Sequence, residues 1–500
     1  MTTFIKYNTP ILLLIIYVLL FTGIASDDYI FINKLNGIYP AERMLTTPVL
    51  HYSHIILYDI FKLNSILYDF VKILWIFISF LMIEKFFSIF LHKHKSILIS
   101  LIFIFFPIHD STTYWFLAQY LTLTIAFYLF AYYLVSKNRI VYGFTFALLA
   151  SFVSYGSTPI AIGLFILFLL NKEVKKSFII LLPNIIYITY YVYITKILKI
   201  GTARLNDSDF LQIAKQYILQ VGTFLDSSIG PSFWLKVFFS ISQLTYLSII
   251  IGLFFIGLFY KFYIPKKEPI NKSLLISLII ILLLAFGIFA LTGYYPQIAF
   301  NLGNRVTIFG SLLVSFLIVQ YFVNSKKFAT FIFSIFIFTT LGLSDHWKDW
   351  NKTQLKIIDN ISKNKEIKNF DKSNQLFVSY NQYSKLGDIS HIEFFAEGIS
   401  SRIFKLATGQ SYNVSPLNRR FYFKDDTIID KKYGKKVDIN EVAYVYDSQA
   451  DKLLEIKKDN INDYIKSLPK DNRHWLQLLP KDNFIMKIVL KLMPRLEYAL

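Results

Sequence analysis

The stretch SLLISLIIILLLAFGIFAL, residues 273–291, contains no charged residue. A helix of that length measures about 28 Å, close to the hydrocarbon thickness of a bilayer. The chain around it has the same character. Its 500 residues are 55% apolar and 17% charged, with mean hydropathy +0.47, against about 25% charged residues in a soluble domain. The charge is unevenly spread. Residues 1–344 hold 25 Lys and Arg with 12 Asp and Glu, and residues 345–500 hold 27 and 21. A large cytosolic enzyme, a disordered chain and a disulfide scaffold are all excluded. The net charge of +19 does not point to nucleic acid, because in the apolar part the basic residues sit in short clusters between apolar runs. The absence of cysteine removes disulfides, thiol catalysis and thiolate metal sites.

The hydropathy pattern predicts an α-helical polytopic membrane protein with about eleven spans. They lie near residues 8–24, 66–90, 97–108, 114–135, 139–154, 159–171, 177–198, 233–260, 273–291, 306–323 and 328–344. Gly23-Ile24-Ala25-Ser26 looks like a leader cleavage site, but ten further spans favour a retained anchor. Alternate joins are basic: Lys85, Lys93 and Lys95; Lys137 and Arg139; Lys172, Lys175 and Lys176; Lys261, Lys266, Lys267 and Lys272; Lys326 and Lys327. With Lys6 they place the N-terminus in the cytoplasm. An odd number of spans then puts the tail outside. The expectation is a multi-pass protein of the bacterial inner (cytoplasmic) membrane, with a transmembrane domain over 1–344 and a small extracytoplasmic, periplasmic α/β domain over 345–500. In that tail residues 346–366 read as helix. Leu376 to Tyr380 and Val442 to Tyr446 read as strands, and 484–493 reads as an interfacial helix with Lys487 and Lys491 on one face.

Orientation sorts the polar residues. The long loops 25–65 and 196–232 fall outside, as do the joins holding His109-Asp110, Tyr155-Gly156-Ser157 and Asn304-Arg305. Asp27-Asp28 follows the first span, where a carboxylate near a low-dielectric boundary gains proton affinity and suits a general base. The pair could equally bind a divalent cation, or simply solvate the end of a helix. His109-Asp110 could orient a ligand or cation, or form a turn in which Asp110 or Ser111 caps the next helix. Arg305 and Arg204 have the fork geometry that suits a phosphate, although Arg305 also fits snorkelling to headgroups. His51 and His54, spaced i and i+3, lack a suitably placed Glu and read as interfacial polar packing. No Gly-rich phosphate loop or nucleotide-binding pattern is present in the sequence.

With these pieces in order, residues 8–345 resemble the C-type (GT-C) glycosyltransferases. Asp27-Asp28 sits where that family keeps an acidic pair, in the first outer loop. The region from Leu45 to Phe90 is similar to its amphipathic stretch. Pro107-Ile108-His109-Asp110-Ser111-Thr112-Thr113-Tyr114-Trp115 is similar to the join after span three, which often holds a second acid near a Trp. The chain has Arg43-Met44-Leu45 where the family often has Arg-Pro-Leu, Gln119 for a common Arg, and Tyr155-Gly156 for a Lys-Glu pair. The resemblance implies transfer of a sugar from a polyprenyl-phosphate carrier to a glycan, lipid or protein acceptor, with inversion. It implies Asp27 or Asp28 as base, Asp110 with His109 at the acceptor or a cation, and Arg305 with Arg204 on the carrier phosphate. Membrane lipids are the expected surroundings. The alternatives are an O-antigen polymerase or ligase, which usually relies on a large late outer loop, and a lipid-linked glycan flippase or exporter. The flippase would need charges inside spans and often paired halves; the sequence reads as nearly free of the first and shows no repeat.

Overall fold

The computed structural model describes residues 2–32, 45–200, 210–292, 296–431 and 434–492. They form two compact units, the first from Met1–Gly23, Phe31–Ala299 and Gly303–His346, the second from Ile24–Ile30, Phe300–Leu302 and Trp347–Leu500.

The first unit is helical because its sequence is long runs of Leu, Ile and Phe with few breakers. Among the described residues six helices are long and apolar enough to cross a membrane: Ser65–Phe87, Phe116–Ser136, Val174–Ile197, Lys272–Thr292, Leu302–Phe322 and Lys326–Lys363. The expected span 233–260 is broken: Phe210–Ile241 and Tyr246–Phe262 meet at 111° and make a seventh only if counted as one. Two other expected spans, Ile140–Val153 and Ser157–Leu170, are helices of 14 residues, about 21 Å long at helical rise. The loop expected over 196–232 contains the helix Phe210–Ser228. The segments read separately as span 328–344 and tail helix 346–366 are largely one helix, Lys326–Lys363, of 38 residues.

Small residues set the helix spacing. A Cβ on Gly163 would strike Ile281, and the Ser277 hydroxyl donates to the Gly163 carbonyl at 2.8 Å. A Cβ on Gly342 would strike the Ser240 carbonyl. Polar side chains on apolar helices find partners inside: Tyr128 with Ser151 at 2.6 Å, Asn184 with Ser157 at 2.9 Å, Tyr17 with Ser248 at 2.8 Å. Such pairing is what burial away from water demands of polar side chains.

The second unit carries the strands. β1 (Leu376–Ser379) lies between β4 (Val414–Pro416) and β8 (Val442–Asp447), parallel to both, and β9 (Lys452–Lys457) closes the sheet antiparallel to β8. All four residues of β1 are buried, as a central parallel strand requires. The helix Ile399–Thr408 lies on the crossover to β4. β2 (Tyr383–Leu386) and β3 (Ile389–Glu393) form a hairpin. β5 (Phe421–Lys424) and β6 (Thr427–Asp430) turn through Asp425-Asp426, both at positive φ, and β7 (Lys436–Asp438) completes a meander. Phe377, Ala443, Val445, Ile461, Ile465 and Leu468 form its core.

Candidate functional site

The chain leaves the helix Thr2–Leu19 through Phe21 and Gly23, both at positive φ. Asp69, on the helix Ser65–Phe87, holds this turn. Its carboxylate accepts the Phe21 amide at 2.8 Å and the Gly23 amide at 2.9 Å. Lys72, one turn on, pairs with Asp69 at 2.8 Å and donates to Thr22 Oγ1 and the Gly23 carbonyl, each at 2.6 Å, and to the Tyr114 carbonyl at 3.1 Å. Both side chains are fully buried. A buried charge persists only when paired and fully hydrogen-bonded, and this lysine has more acceptors than protons.

The acids themselves belong to the second unit. The Ala25 amide donates to Asp28 Oδ2 at 2.9 Å while the Asp28 amide donates to the Ala25 carbonyl at 3.1 Å, a reciprocal cap like a capping box. Asp28 is buried and opens the short helix Asp28–Phe31; Asp27 is partly exposed. The tail sequence contributes neighbours that were not anticipated. Ser26 donates to Glu393 Oε2 at 3.3 Å, and the Tyr383 hydroxyl donates to Glu393 Oε1 at 2.7 Å. The Arg473 guanidinium lies 4.6 Å over the Tyr383 ring and donates to its hydroxyl. Tyr29 reaches Gln354 at 3.4 Å and packs edge-on against Phe394.

In the first unit, His109 and Asp110 are both buried. Asp110 makes no side-chain helix cap. Its Oδ1 instead accepts Lys236 at 2.6 Å and Asn304 Nδ2 at 2.5 Å. Lys236 also donates to the Ala299 carbonyl, and Asn304 accepts from the Ser111 amide and hydroxyl. The cation beside Asp110 is thus an internal lysine. His109 Nδ1 lies 2.7 Å from Thr112 Oγ1, whose proton goes to the His109 carbonyl at 2.9 Å. Nδ1 therefore carries the ring proton, and among the described residues the buried Nε2 makes no hydrogen bond. Burial holds this imidazole down at about 4, so it is neutral at physiological pH. His54 follows the same pattern: Nδ1 bonds the Leu50 carbonyl at 2.9 Å, Nε2 makes no hydrogen bond among the described residues, and burial lowers it to about 4. His51 Nδ1 bonds Thr47 Oγ1 at 2.8 Å.

Arg305 is partly exposed, with its guanidinium 5.3 Å over the Trp115 ring. Beside it lies a cleft bounded by Tyr120, Tyr155, Gly156 and Phe289, with a free volume of about 10 Å³, room for about one water. The chain matches no family model, no curated protein and no solved structure. Arg204 lies outside the described residues, as does Arg43. Among the described residues no group of three or more His, Asp or Glu could hold a metal ion.

Asp69, Lys72 and Lys236 lie within expected spans that read as nearly free of charge. The first two carry a signal, an Asp and a Lys at i and i+3 within a mainly apolar helix, whereas Lys236 stands alone in its run. Glu393, Tyr383 and Arg473 carry no such signal, because polar and charged residues are ordinary in a segment as rich in them as 345–500.

Proposed function

We propose that this chain is a membrane glycosyltransferase that moves a sugar from a polyprenyl-phosphate carrier to an acceptor hydroxyl on the outer face of the bacterial inner membrane. The observation that carries the reading is the division of labour within the acidic pair. Asp28 is buried and committed to the Ala25 amide, while Asp27 is partly exposed on the same turn. Asp27 would take the acceptor proton. The acceptor oxygen would attack the anomeric carbon, and the bond to the phosphate oxygen would break with inversion. Arg305, with Arg204 as a second cation, would hold the charge gathering on the departing polyprenyl phosphate. The Trp115 ring, 5.3 Å from the Arg305 guanidinium, gives it a cation–π contact. His109 and Asp110, both buried, would shape the acceptor end rather than exchange protons with it. The reading takes about eleven spans and a tail outside the cytoplasm, supported by the alternation of basic joins.

The buried pairs Asp69–Lys72 and Asp110–Lys236 favour a second reading, a lipid-linked glycan flippase, because ionisable groups in apolar helices often serve transport. One assay separates the two. Purified protein in vesicles receives polyprenyl-phosphate sugar and acceptor, and free polyprenyl phosphate and glycosylated acceptor are measured together. Transfer releases both in equal amounts, and Asp27→Asn should lower both by about 10²–10⁴-fold, as loss of a general base does. Carrier that crosses the bilayer with its sugar intact, unaffected by Asp27→Asn, would replace the transferase reading with the flippase.

A further inference from the structure

The helix Phe484–Leu492 presents a surface that water alone does not suit. Phe484 is 75% exposed, Ile485 45% and Ile488 42%, whereas Met486 is 1% exposed and anchors the opposite side. Phe484 and Ile488 are four residues apart, so they stack in one row along the helix. Lys487 and Lys491, also four apart and both exposed, make a second row directly beside it. An apolar row flanked by a lysine row is the pattern of a helix lying flat at a membrane surface. The apolar side chains sink below the headgroups, and the lysines reach sideways to the phosphates.

We infer that this helix docks the tail onto an anionic phospholipid surface. The charge row selects the occupant: two lysines without an acidic residue between Phe484 and Leu492 complement phosphate headgroups. Nine residues would bind a bilayer weakly if free in solution. Here the helix is tethered to apolar helices of the same chain, so the surface is met at an effective concentration of order millimolar. The inference requires the chain to sit in a bilayer and is independent of glycosyl transfer.

The chain has no cysteine, so one introduced thiol labels one place. Ile488→Cys and Phe484→Cys, each carrying an environment-sensitive fluorophore, are made in the full chain. Both are reconstituted into phosphatidylcholine vesicles with and without phosphatidylglycerol. Ala450→Cys, exposed in the turn after β8, is the reference. Doxyl-labelled phospholipid should quench the two helix probes well above the reference probe in the anionic vesicles. Lys487→Glu with Lys491→Glu should remove that excess, since a lysine at an anionic surface is worth roughly fivefold in occupancy. Helix probes quenched no more than Ala450 would overturn the docking. Probes shielded from both lipid quencher and aqueous iodide would assign the face to protein, either the first unit or a second copy. Quenching unchanged by phosphatidylglycerol and by charge reversal would overturn the anionic assignment.

Discussion

Asp69 and Lys72 are fully buried together, and the pair ties the exit of the helix Thr2–Leu19 to the helix Ser65–Phe87. Removing one partner of a buried pair costs about 3–5 kcal/mol, because the other charge is stranded. Lys72→Met should therefore lower the thermal midpoint sharply in detergent. Adding Asp69→Asn removes the stranded charge but leaves one acceptor oxygen for the Phe21 and Gly23 amides, which bond different oxygens of Asp69, so it should restore part of the loss. A double variant no more stable than Lys72→Met would show that the pair is not the source of the loss. The two buried histidines make a pH prediction. Both are held near 4 in the fold against an ordinary value near 6.5. Between those values the unfolded chain binds more protons, so stability rises with pH. Their contribution is complete above about pH 6.5 and is lost as pH falls towards 4. A shift of that size corresponds to about 3 kcal/mol per residue. His54→Phe keeps the ring between Trp75 and Phe116 and should flatten the acid limb of the melting curve. Parallel acid limbs for wild type and variant would exclude this histidine as a contributor.

Helix packing in the first unit depends on glycines that the sequence pattern does not rank. Gly342, on Lys326–Lys363, lies so close to the helix Pro231–Ile241 that a Cβ would meet the Ser240 carbonyl, which is backbone and cannot rotate away. Nothing lies within 4 Å of a Cβ at Gly257. Gly342→Ala should destabilise by about 1–3 kcal/mol, the usual range for overpacking. Gly257→Ala should be neutral or slightly stabilising, since it only removes backbone freedom from the unfolded chain. Equal midpoints for the two variants would contradict this contact. Element type was legible where β-favouring residues cluster: β1 and β8 occupy the short runs of Val, Phe and Tyr that mark strands. Helix continuity was not. The polar residues from Asp345 onward end the apolar run, yet the backbone continues helical to Lys363, because a helix can pass from apolar to polar surroundings without breaking a hydrogen bond.

At the scale of the chain, basic joins alternate with joins poor in Lys and Arg, which predicts sidedness. A reporter fused after Lys267 should be active only in the cytoplasm, and one after Leu500 only outside it. The reverse pattern would put Asp27 and Arg305 on the cytoplasmic face and remove the carrier-dependent reading.

Composition and period by themselves determined that residues 1–344 are dominated by apolar helix among the described residues and that the tail mixes helix with strand, whereas the helix Phe210–Ser228 lies in a stretch that reads as loop. They also drew attention to Asp27, Asp28, His109, Asp110 and Arg305, because polar residues beside apolar runs are conspicuous. Tertiary structure decided what those residues meet. Asp110 reaches Lys236 across 126 positions, and Ser26 reaches Glu393 across 367. Neither pairing leaves a trace in any window of sequence. A buried carboxylate must find a counter-charge or donors, but many residues can supply one, and only the packing of helices and sheet selects which does.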